Sequence, residues 1–313
     1  MKKVLLFPNV GRRVELINCF RQFAQYHGIE LTIIGTDITS DAPALHFCDQ
    51  TYLLPKERNT ELVVRYQQII AQHHVDSVVC TIDPDLIFFS RYRSEISLES
   101  TVDLLLSSED VIEASSDKKL THALFETAGV NTPRLVTLPT HFPIFAKPVQ
   151  GSGSFGAKLL TCQSELDSYL VEFGVYEPIF QQYIEGKEYT IDCFVTAGGY
   201  VAVSARERLK VRAGEVSVSK TVQHQQLALE TKKLLLSRGF YGPVTLQAII
   251  AGDGTIYFIE VNPRFGGGSV LSIEAGLQSP HYVLRGTELP STIKANLKML
   301  RYDMSVFVDE NVK

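Results

Sequence analysis

The spacing of apolar residues changes near Glu113, and this change restricts the fold more than any other feature of the chain. Before it, short apolar runs such as VLLF (4–7) alternate with segments in which apolar residues recur at helical spacing. After it, apolar runs follow one another across glycine-containing turns, which is typical of antiparallel hairpins. The pattern predicts a Rossmann-like α/β front domain, residues 1–113, followed by an α+β region with antiparallel sheets in two lobes, residues 114–186 and 187–313.

Capping residues set the expected limits of several helices. Apolar spacing predicts a helix over Arg12–His27, which Gly28 would end because glycine readily adopts a left-handed backbone. Asn59 is expected to cap a second helix, since its side chain can accept the free amides of the first turn. Ser116 is expected to begin a third helix that ends at Gly129.

Length and composition exclude several classes of protein. The chain has 313 residues, of which 45% are hydrophobic and 21% charged, as in folded domains and unlike disordered segments. Its formal net charge of -5 argues against a dedicated nucleic-acid binder. No stretch approaches the ~20 apolar residues that a membrane span needs. The five cysteines are scattered and lack a CxxC pair, so free thiols in a reducing cytoplasm are expected.

The segment VTLQAIIAGDGTIYFIEVN carries the most informative pattern. Asp253–Gly254 is a strong signal for a two-residue hairpin turn in which both central residues have positive φ. A turn there places Gln247 directly opposite Glu260, and strand alternation brings Asn262 to the same face. These three oxygen donors suit Mg²⁺ but are too few to fill its coordination shell, which leaves room for phosphate oxygens and water. The alternative is an ordinary solvated hairpin edge.

The residues PRFGGG follow the hairpin directly. Arg264 would present a fork of donors to a transferring phosphoryl group. The glycines at 266–268 would let the backbone come close to a ligand at the start of a helix.

A glycine-rich loop, GSGSFG at 151–156, matches the pattern G-x-G-x-x-G of dinucleotide sites. That fingerprint must open a helix, whereas GAKLLT continues as a strand, so a dinucleotide site is not expected. With Lys147 ending the preceding strand, the loop instead suits a mobile flap over ATP phosphates. Lys118, early in the third helix, would add a second positive charge. The alternatives are a plain hairpin with a flexible tip and a lysine on the surface.

The segment IFQQYIEGKEYTID contains two strands joined by a turn at Glu185–Gly186. Backbone groups of Tyr183 and Ile184 at such a crossing would hydrogen-bond an adenine edge. Glu188 would accept hydrogen bonds from both ribose hydroxyls. A simple linker between the lobes is the alternative.

Four motifs occur in the order and approximate spacing of the ATP-grasp superfamily, which this chain resembles: DK at 117–118, FAKPVQGSGSFG, QQYIEGKEYTID and LQAII…IEVNPRFGGG. The chain is most similar to the short proteins that look like one synthetase unit of the large subunit of carbamoyl-phosphate synthase. The resemblance runs from about Ser115 to Gly276. The front domain looks like the domain that usually precedes an ATP-grasp domain.

The resemblance implies a role for each motif. The phosphates of ATP would be held by two lysines and a covering loop, namely Lys118, Lys147, Gly153 and Ser154. Adenine would be framed by four consecutive residues, Gln181, Gln182, Tyr183 and Ile184, and ribose would be bound by Glu188. One or two Mg²⁺ ions, or Mn²⁺ in their place, would be carried by Gln247, Glu260 and Asn262. Arg264 would stabilise the transferred phosphoryl group.

Two positions depart from the common pattern of the superfamily. Many members have an acid in place of Gln181, which loosens its assignment to adenine. Some members have Asp in place of Gln247, although the synthase-like branch uses Gln there.

The reaction that the resemblance implies activates a carboxylate by attack on the γ-phosphate of ATP, after which an amine displaces phosphate. Such catalysis needs positioning and cations more than a general base. Basic residues alternate along SARERLKVR, and Arg206 and Arg208 are expected to line the acyl-phosphate pocket, with a solvated basic strand as the alternative. The leading hypothesis is therefore an ADP-forming carboxylate–amine ligase for a small acid such as an amino acid or a modified sugar acid.

Other hypotheses stay open at this point. Phosphorylation without ligation and carboxylation from bicarbonate use related sites, and an ATP-binding sensor would need no turnover. A complete carbamoyl-phosphate synthase cycle is not expected, because the chain has one ATP unit and no glutaminase. A homodimer is a further expectation from the resemblance. In the front domain, PNVGRR (8–13) and TIDPD (81–85) are expected to shape a pocket for one small-molecule substrate.

Overall fold

The computed structural model describes residues 1–98, 100–137, 139–151, 153–212 and 214–309. Contacts divide the chain into two compact units. The first comprises Met1–Leu106, Gln278–Leu289 and the residues from Met299 onward, and the second comprises Ser107–Leu277 and Pro290–Lys298. The boundary thus precedes the expected one at residue 113, and two C-terminal segments expected in the last lobe belong to the first unit. The division of the chain into 1–113, 114–186 and 187–313 stays a prediction.

The first unit is built on a parallel sheet. In chain order it contains β1 (Lys2–Phe7), α1 (Val14–Tyr26), β2 (Glu30–Asp37), β3 (Gln50–Leu53), α2 (Thr60–His73), β4 (Ser77–Val78), α3 (Asp83–Arg91), α4 (Arg93–Ile96) and β5 (Asp103–Leu104). The strand order is β3-β2-β1-β4-β5, and the neighbouring strands pair in parallel. This arrangement follows from apolar strands that alternate with amphipathic helices.

Local signals in the first unit act largely as the sequence predicts. α1 begins at Val14, two residues later than expected, and the chain leaves the helix through Gly28, whose φ is 63°. Asn59 Oδ1 accepts the backbone amides of Glu61 and Leu62 at 3.1 and 3.2 Å. Asn59 therefore caps α2 as predicted, because it satisfies amides that have no partner within the helix.

The second unit contains two antiparallel sheets. Its elements are α5 (Glu109–Ser116), α6 (Lys118–Thr127), β6 (Ile144–Pro148), β7 (Lys158–Leu160), α7 (Gln163–Phe173), β8 (Pro178–Gln182), β9 (Gly186–Val195), β10 (Val201–Arg212), β11 (Glu215–Val222), α8 (Gln225–Leu236), β12 (Gly242–Ala251), β13 (Ile256–Asn262) and α9 (Ser269–Glu274). α10 (Ser279–Arg285) belongs to the first unit, and β14 (Lys298–Leu300) begins at the last residue of the second.

The strands of the second unit follow the predicted hairpin pattern. The smaller sheet has the order β7-β6-β8, and the larger has the order β13-β12-β9-β10-β11, with β14 next to β11. The pairings of β6 to β13 within these sheets are antiparallel. The predicted fold class is therefore confirmed. Within the described part of the chain, every helix is too short or too polar to cross a membrane.

The start of the third predicted helix differs from expectation. Ser116 is the last residue of α5, and its hydroxyl donates to the carbonyl of Glu113 at 2.8 Å. Asp117 caps α6 instead, accepting the amides of Lys119 and Leu120 at 2.7 and 3.1 Å. A carboxylate is favoured at this position because it also interacts with the positive end of the helix dipole.

The larger sheet buries one face in an apolar core and carries polar residues on the other. Along β12, Val244, Leu246 and Ala248 belong to the core, whereas Thr245 and Gln247 alternate with them. Side chains of a strand point to opposite faces in turn. The polar positions of neighbouring strands therefore share one face, and the candidate site lies on it.

Phe258 tests the importance of this core. Its side chain is fully buried, and its ring centroid lies 5.9 Å from that of Phe125. Phe258→Ala should lower the free energy of unfolding of the second unit by about 3–5 kcal/mol, because it removes apolar contacts and leaves a cavity. Denaturant titration followed by circular dichroism measures the change. Leu229→Ala, at an exposed position of α8, should change it by less than about 0.5 kcal/mol. Equal losses in both variants would contradict this assignment.

Candidate functional site

Strand pairing brings the predicted metal ligands together. In the ladder between β12 and β13, Gln247 lies opposite Glu260, and Thr245 lies opposite Asn262. Both pairs are on the polar face of the larger sheet. The predicted pairing is confirmed, so an amide, a carboxylate and a second amide occupy neighbouring positions.

The turn of this hairpin differs from the predicted one. The amide of Ala251 donates to the carbonyl of Thr255, and the amide of Gly254 donates to the carbonyl of Ala251, both at 2.9 Å. The loop thus has three residues, and Gly254 has a positive φ of 87° while Asp253 does not. The prediction of a two-residue turn was wrong, because the turn has one residue more and shifts the strand pairing by one position. A bulge in the ladder beside Gln247 cancels that shift, so the predicted pair still forms.

The three side chains fit a hard divalent cation that arrives with phosphate. Asn262 Nδ2 donates to Glu260 Oε1 at 2.7 Å, and Arg264 Nη2 donates to Asn262 Oδ1 at 3.2 Å. The amide of Asn262 would have to turn its oxygen toward an ion to act as a ligand. Across the described ranges, no three His, Cys, Asp or Glu side chains form a metal-binding group. The single carboxylate of this set balances one of the two positive charges of the ion and leaves the other for nucleotide phosphates to balance.

The glycines after Arg264 have a role that the sequence did not indicate. A Cβ on Gly266 would stand 2.9 Å from Thr245 Oγ1, and one on Gly268 would stand 2.9 Å from Arg206 Nη1. Contacts this short essentially never occur for a real Cβ. The backbone of the turn therefore lies directly on side chains of the sheet, whereas the sequence suggested an approach to a ligand.

Lys147 lies near the carboxylate of Glu260, and Lys118 lies near Lys147. Burial lowers the pKa of Lys147 to about 8, while Glu260 raises that pKa and Lys118 lowers it. The ammonium of Lys147 donates to the carbonyl of Ile259 at 3.3 Å. Lys118 Nζ donates to the carbonyl of Gly151 at 3.0 Å, so it reaches the glycine-rich loop. The two predicted phosphate lysines are therefore close enough to interact with each other.

The glycine-rich loop needs a backbone that few residues adopt. Positive φ angles of 118°, 65°, 62° and 64° occur at Gly151, Gly153, Ser154 and Gly156. β7 follows and pairs antiparallel with β6, which confirms the predicted strand–loop–strand arrangement. Among the described residues, nothing lies within 4 Å of a Cβ on Gly151 or Gly153, whereas one on Gly156 would stand 2.8 Å from Pro148. Gly156 is thus packed on Pro148, whereas Gly151 and Gly153 have space on the side where a Cβ would stand, although the backbone of Gly153 lies against Gly214.

Residues 183–185, called the hinge below, link the two sheets of the second unit. β8 ends at Gln182 in the smaller sheet, and β9 begins at Gly186 in the larger one. The backbone of residues 183–185 lies outside both ladders, as recognition of an adenine edge by its amides and carbonyls would require. Tyr183 is partly exposed, and Ile184 is buried.

Gln181 and Glu188, on either side of the hinge, have different environments. Gln181 is buried, and its Nε2 donates to the carbonyl of Pro133 at 3.5 Å, so its side chain points into the protein. Glu188 Oε1 lies 2.9 Å from Arg208 Nε. Burial raises the pKa of Glu188, Arg208 lowers it, and Glu260 raises it. Glu188 therefore belongs to the same charged group as Glu260.

The two arginines predicted to line a substrate pocket have partners within the sheet. Arg206 is 2% exposed, and its Nε donates to Asp192 Oδ2 at 2.7 Å. Arg208 Nη1 donates to Thr190 Oγ1 at 3.4 Å, in addition to its ion pair with Glu188. The structure thus gives Arg206 an internal carboxylate where the sequence suggested a substrate carboxylate. Arg208 lies beside the expected ribose ligand.

Two segments of the first unit that were predicted to shape a substrate pocket meet just beyond the ends of β1 and β4. Asn9 Nδ2 donates to Asp85 Oδ1 at 2.7 Å, and Arg13 Nη2 donates to the carbonyl of Thr81 at 3.5 Å. Arg58 also pairs with Asp85, at 2.9 Å, and burial raises the pKa of this carboxyl. The carboxyl edge of a parallel sheet is where ligands of open α/β folds bind. A substrate pocket at this edge stays a prediction.

Comparison with known families identifies both parts of the chain. Residues 115–268 match the model of the ATP-grasp domain, and residues 5–104 match that of the PylC-like N-terminal domain. The chain therefore carries an ATP-grasp domain preceded by a PylC-like N-terminal domain. A curated relative is a carbamoyl-phosphate synthase from Methanobrevibacter smithii, 27% identical over 193 residues, which are 58% of this chain and 50% of the relative. The chain thus spans about half the length of that relative.

Two solved structures share the fold. A biotin carboxylase from Campylobacter jejuni in complex with β,γ-ATP is 18% identical, with a TM-score of 0.71 over 95% of this chain and 74% of that one. An L-amino acid ligase from Bacillus licheniformis is 19% identical, with a TM-score of 0.71 over 91% of this chain and 73% of that one. At these identities the likeness shows the fold alone.

The lowered pKa of Lys147 predicts a pH dependence of nucleotide affinity. The ammonium is mostly charged below about pH 8 and mostly neutral above it, so the attraction for phosphate is lost as the pH rises. The affinity for MgATP should fall by about tenfold between pH 7 and pH 9 if the neutral amine contributes nothing. Isothermal titration calorimetry measures this change. Lys147→Arg should bind with a nearly constant affinity over the same range, because arginine stays charged. A wild-type affinity that does not change with pH would contradict the assignment.

Proposed function

We propose that this protein is an ATP- and Mg²⁺-dependent carboxylate–amine ligase that forms ADP. The observation that carries the proposal is the convergence of Lys147, Glu260, Asn262 and Arg264 beside one hairpin of the larger sheet. Cations for phosphate and oxygen donors for a metal stand next to each other there. The match to the ATP-grasp domain supports the proposal, as do the curated relative named carbamoyl-phosphate synthase and the solved structure named L-amino acid ligase.

The nucleotide would bind between the hinge and the glycine-rich loop. Lys118 and Lys147 would contact the phosphates, and the glycine-rich loop, with Gly153 and Ser154, would cover them. The hinge backbone beside Tyr183 would accept and donate hydrogen bonds at the edge of adenine, and Glu188 would bind the ribose hydroxyls. Since Glu188 already pairs with Arg208, ribose would compete with or share this ion pair. The buried side chain of Gln181 would support the hinge and not touch the ring.

The predicted metal ligands would act through a Mg²⁺ ion that also contacts the phosphates. Glu260, Asn262 and Gln247 would hold Mg²⁺ through one carboxylate and two amide oxygens. A bound Mg²⁺ supplies positive charge that neutralises the phosphate oxygens. Arg264 would stand next to the transferred group, since it already contacts the amide of Asn262.

Chemistry would proceed in two displacements. A carboxylate oxygen attacks the γ-phosphorus, the bond to the bridging oxygen breaks, and ADP leaves. An amine nitrogen then attacks the acyl carbon, the carbon–oxygen bond to phosphate breaks, and the amine loses a proton. Arg264 would balance the charge of the phosphoryl group in the first step. Arg208 would orient the substrate carboxylate, and Arg206 would support Arg208 from within the sheet.

Release of ADP and phosphate tests the proposal directly. With Mg²⁺ and ATP, release should require both a carboxylic acid and an amine, supplied as pools of amino acids, sugar acids and small amines. Release with an acid alone would identify a kinase, and release with bicarbonate a carboxylating enzyme. Tight binding of ATP without release from any pool would identify a sensor. Each of these three outcomes contradicts the ligase.

The same assay tests the role of Arg208. Arg208→Ala should lower acid-dependent release of ADP by at least about tenfold without weakening ATP affinity, because it removes a charge that orients the acid. The control Lys187→Ala removes an exposed lysine of the same sheet, paired with Glu207, and should leave release unchanged.

A further inference from the structure

A buried carboxylate, Asp192, joins several elements beneath the candidate site. Its Oδ2 accepts Arg206 Nε and Ser272 Oγ, each at 2.7 Å, and its Oδ1 lies 3.5 Å from Arg206 Nη2 and 3.4 Å from Thr245 Oγ1. These four residues belong to β9, β10, α9 and β12. Each is at most 5% exposed. One carboxylate therefore ties three strands to the helix that follows the glycine-rich turn.

Thr245 lies between Asp192 and the arginine of the site. Its hydroxyl donates to the carbonyl of Arg264 at 3.0 Å, closer than its contact with Asp192. A hydroxyl has a single hydrogen, so the shorter contact is the main one. The backbone of Gly266 packs directly on the side chain of Thr245, so a Cβ at position 266 would not fit. Thr245 therefore fixes both ends of the segment from 264 to 266.

The arrangement is costly if its only purpose is stability. The guanidinium of Arg206 is buried, and its Nη1, which lies against Gly268, finds no acceptor among the described residues. A buried ion pair often stabilises a protein no better than apolar residues of the same volume. Buried polar groups that lack a partner are rare and concentrate where a structure needs them for another purpose.

We propose that Asp192 and Thr245 are positioning residues that hold the turn at 264–268, and with it the side chain of Arg264, in register with the transferred phosphoryl group. This inference rests on the proposed function. Arg264 has a long side chain, so a shift of its backbone displaces the guanidinium. A displacement of about 1 Å at a group that acts in the transition state costs far more in rate than in ground-state binding.

Thr245→Val tests the proposal, because it keeps the branched shape and removes the hydroxyl. The turnover number should fall by at least about tenfold, while the dissociation constant of MgATP changes by less than about twofold. Thr245→Ser keeps the hydroxyl and should restore most of the turnover. The matched control is Thr231→Val, since Thr231 is equally buried in α8 and its hydroxyl has no partner among the described residues. This control should behave as wild type.

Hydrogen exchange gives a second readout that does not need turnover. The amides of Ser269 and Leu271 donate within the turn to Gly266 and Gly268, both at 3.1 Å. Thr245→Val should speed their exchange by at least about tenfold, and Thr231→Val should not. Unchanged exchange and turnover in Thr245→Val, or equal losses in both valine variants, would overturn the proposal. If the wild type has no ligase activity, faster exchange in Thr245→Val alone would support the positioning role while the proposed function fails.

Discussion

The pairing of β12 with β13 is the constraint on which the rest of the site depends. Because strand side chains alternate between faces, a slip of one residue would turn Glu260 and Asn262 into the apolar core and bring Val261 out of it. Burial of Phe258 and Val261 therefore selects the register, and the register selects which oxygen donors meet. The functional geometry is thus fixed by packing on the opposite face of the same sheet.

Charge balance explains why this face suits a nucleotide. Lys147 is buried beside the carboxylate of Glu260, and burial outweighs that attraction, which is why its pKa is lowered. Glu188 shows the reverse effect, since burial and Glu260 raise its pKa against the influence of Arg208. A polyanion accompanied by a divalent cation would supply partners to both kinds of group. A metal–phosphate ligand would therefore suit both groups.

The sequence predicts the fold class well, because alternation and hairpin patterns are local signals that the packing reinforces. The pairing of Gln247 with Glu260 was predicted correctly, although two local errors cancelled: the turn has three residues, and a bulge corrects the offset. The cap at Asp117 was missed because Ser116 satisfies its hydroxyl within the preceding helix. Each of these depends on one or two hydrogen bonds that residue types alone do not distinguish.

The sequence could not predict the internal partner of Arg206, for a different reason. A basic residue on the polar face of a strand suggests a ligand, and only the fold shows that Asp192 lies diagonally across from it on β9. The same holds for the glycines at 266 and 268, whose neighbours Thr245 and Arg206 come from distant strands. The return of C-terminal segments to the first unit also depends on contacts that no local pattern encodes. Long-range partners therefore mark the limit of what the sequence reveals about this site.

The most direct measurement is the affinity and turnover of MgATP in Glu260→Ala. Glu260 is the one carboxylate of the proposed metal set, so its loss should weaken Mg²⁺-dependent nucleotide binding by at least about tenfold and abolish release of ADP. Glu207→Ala, on the opposite face of the same sheet, is the control and should bind and turn over MgATP as wild type does. Unchanged magnesium dependence, affinity and turnover in Glu260→Ala would contradict the account.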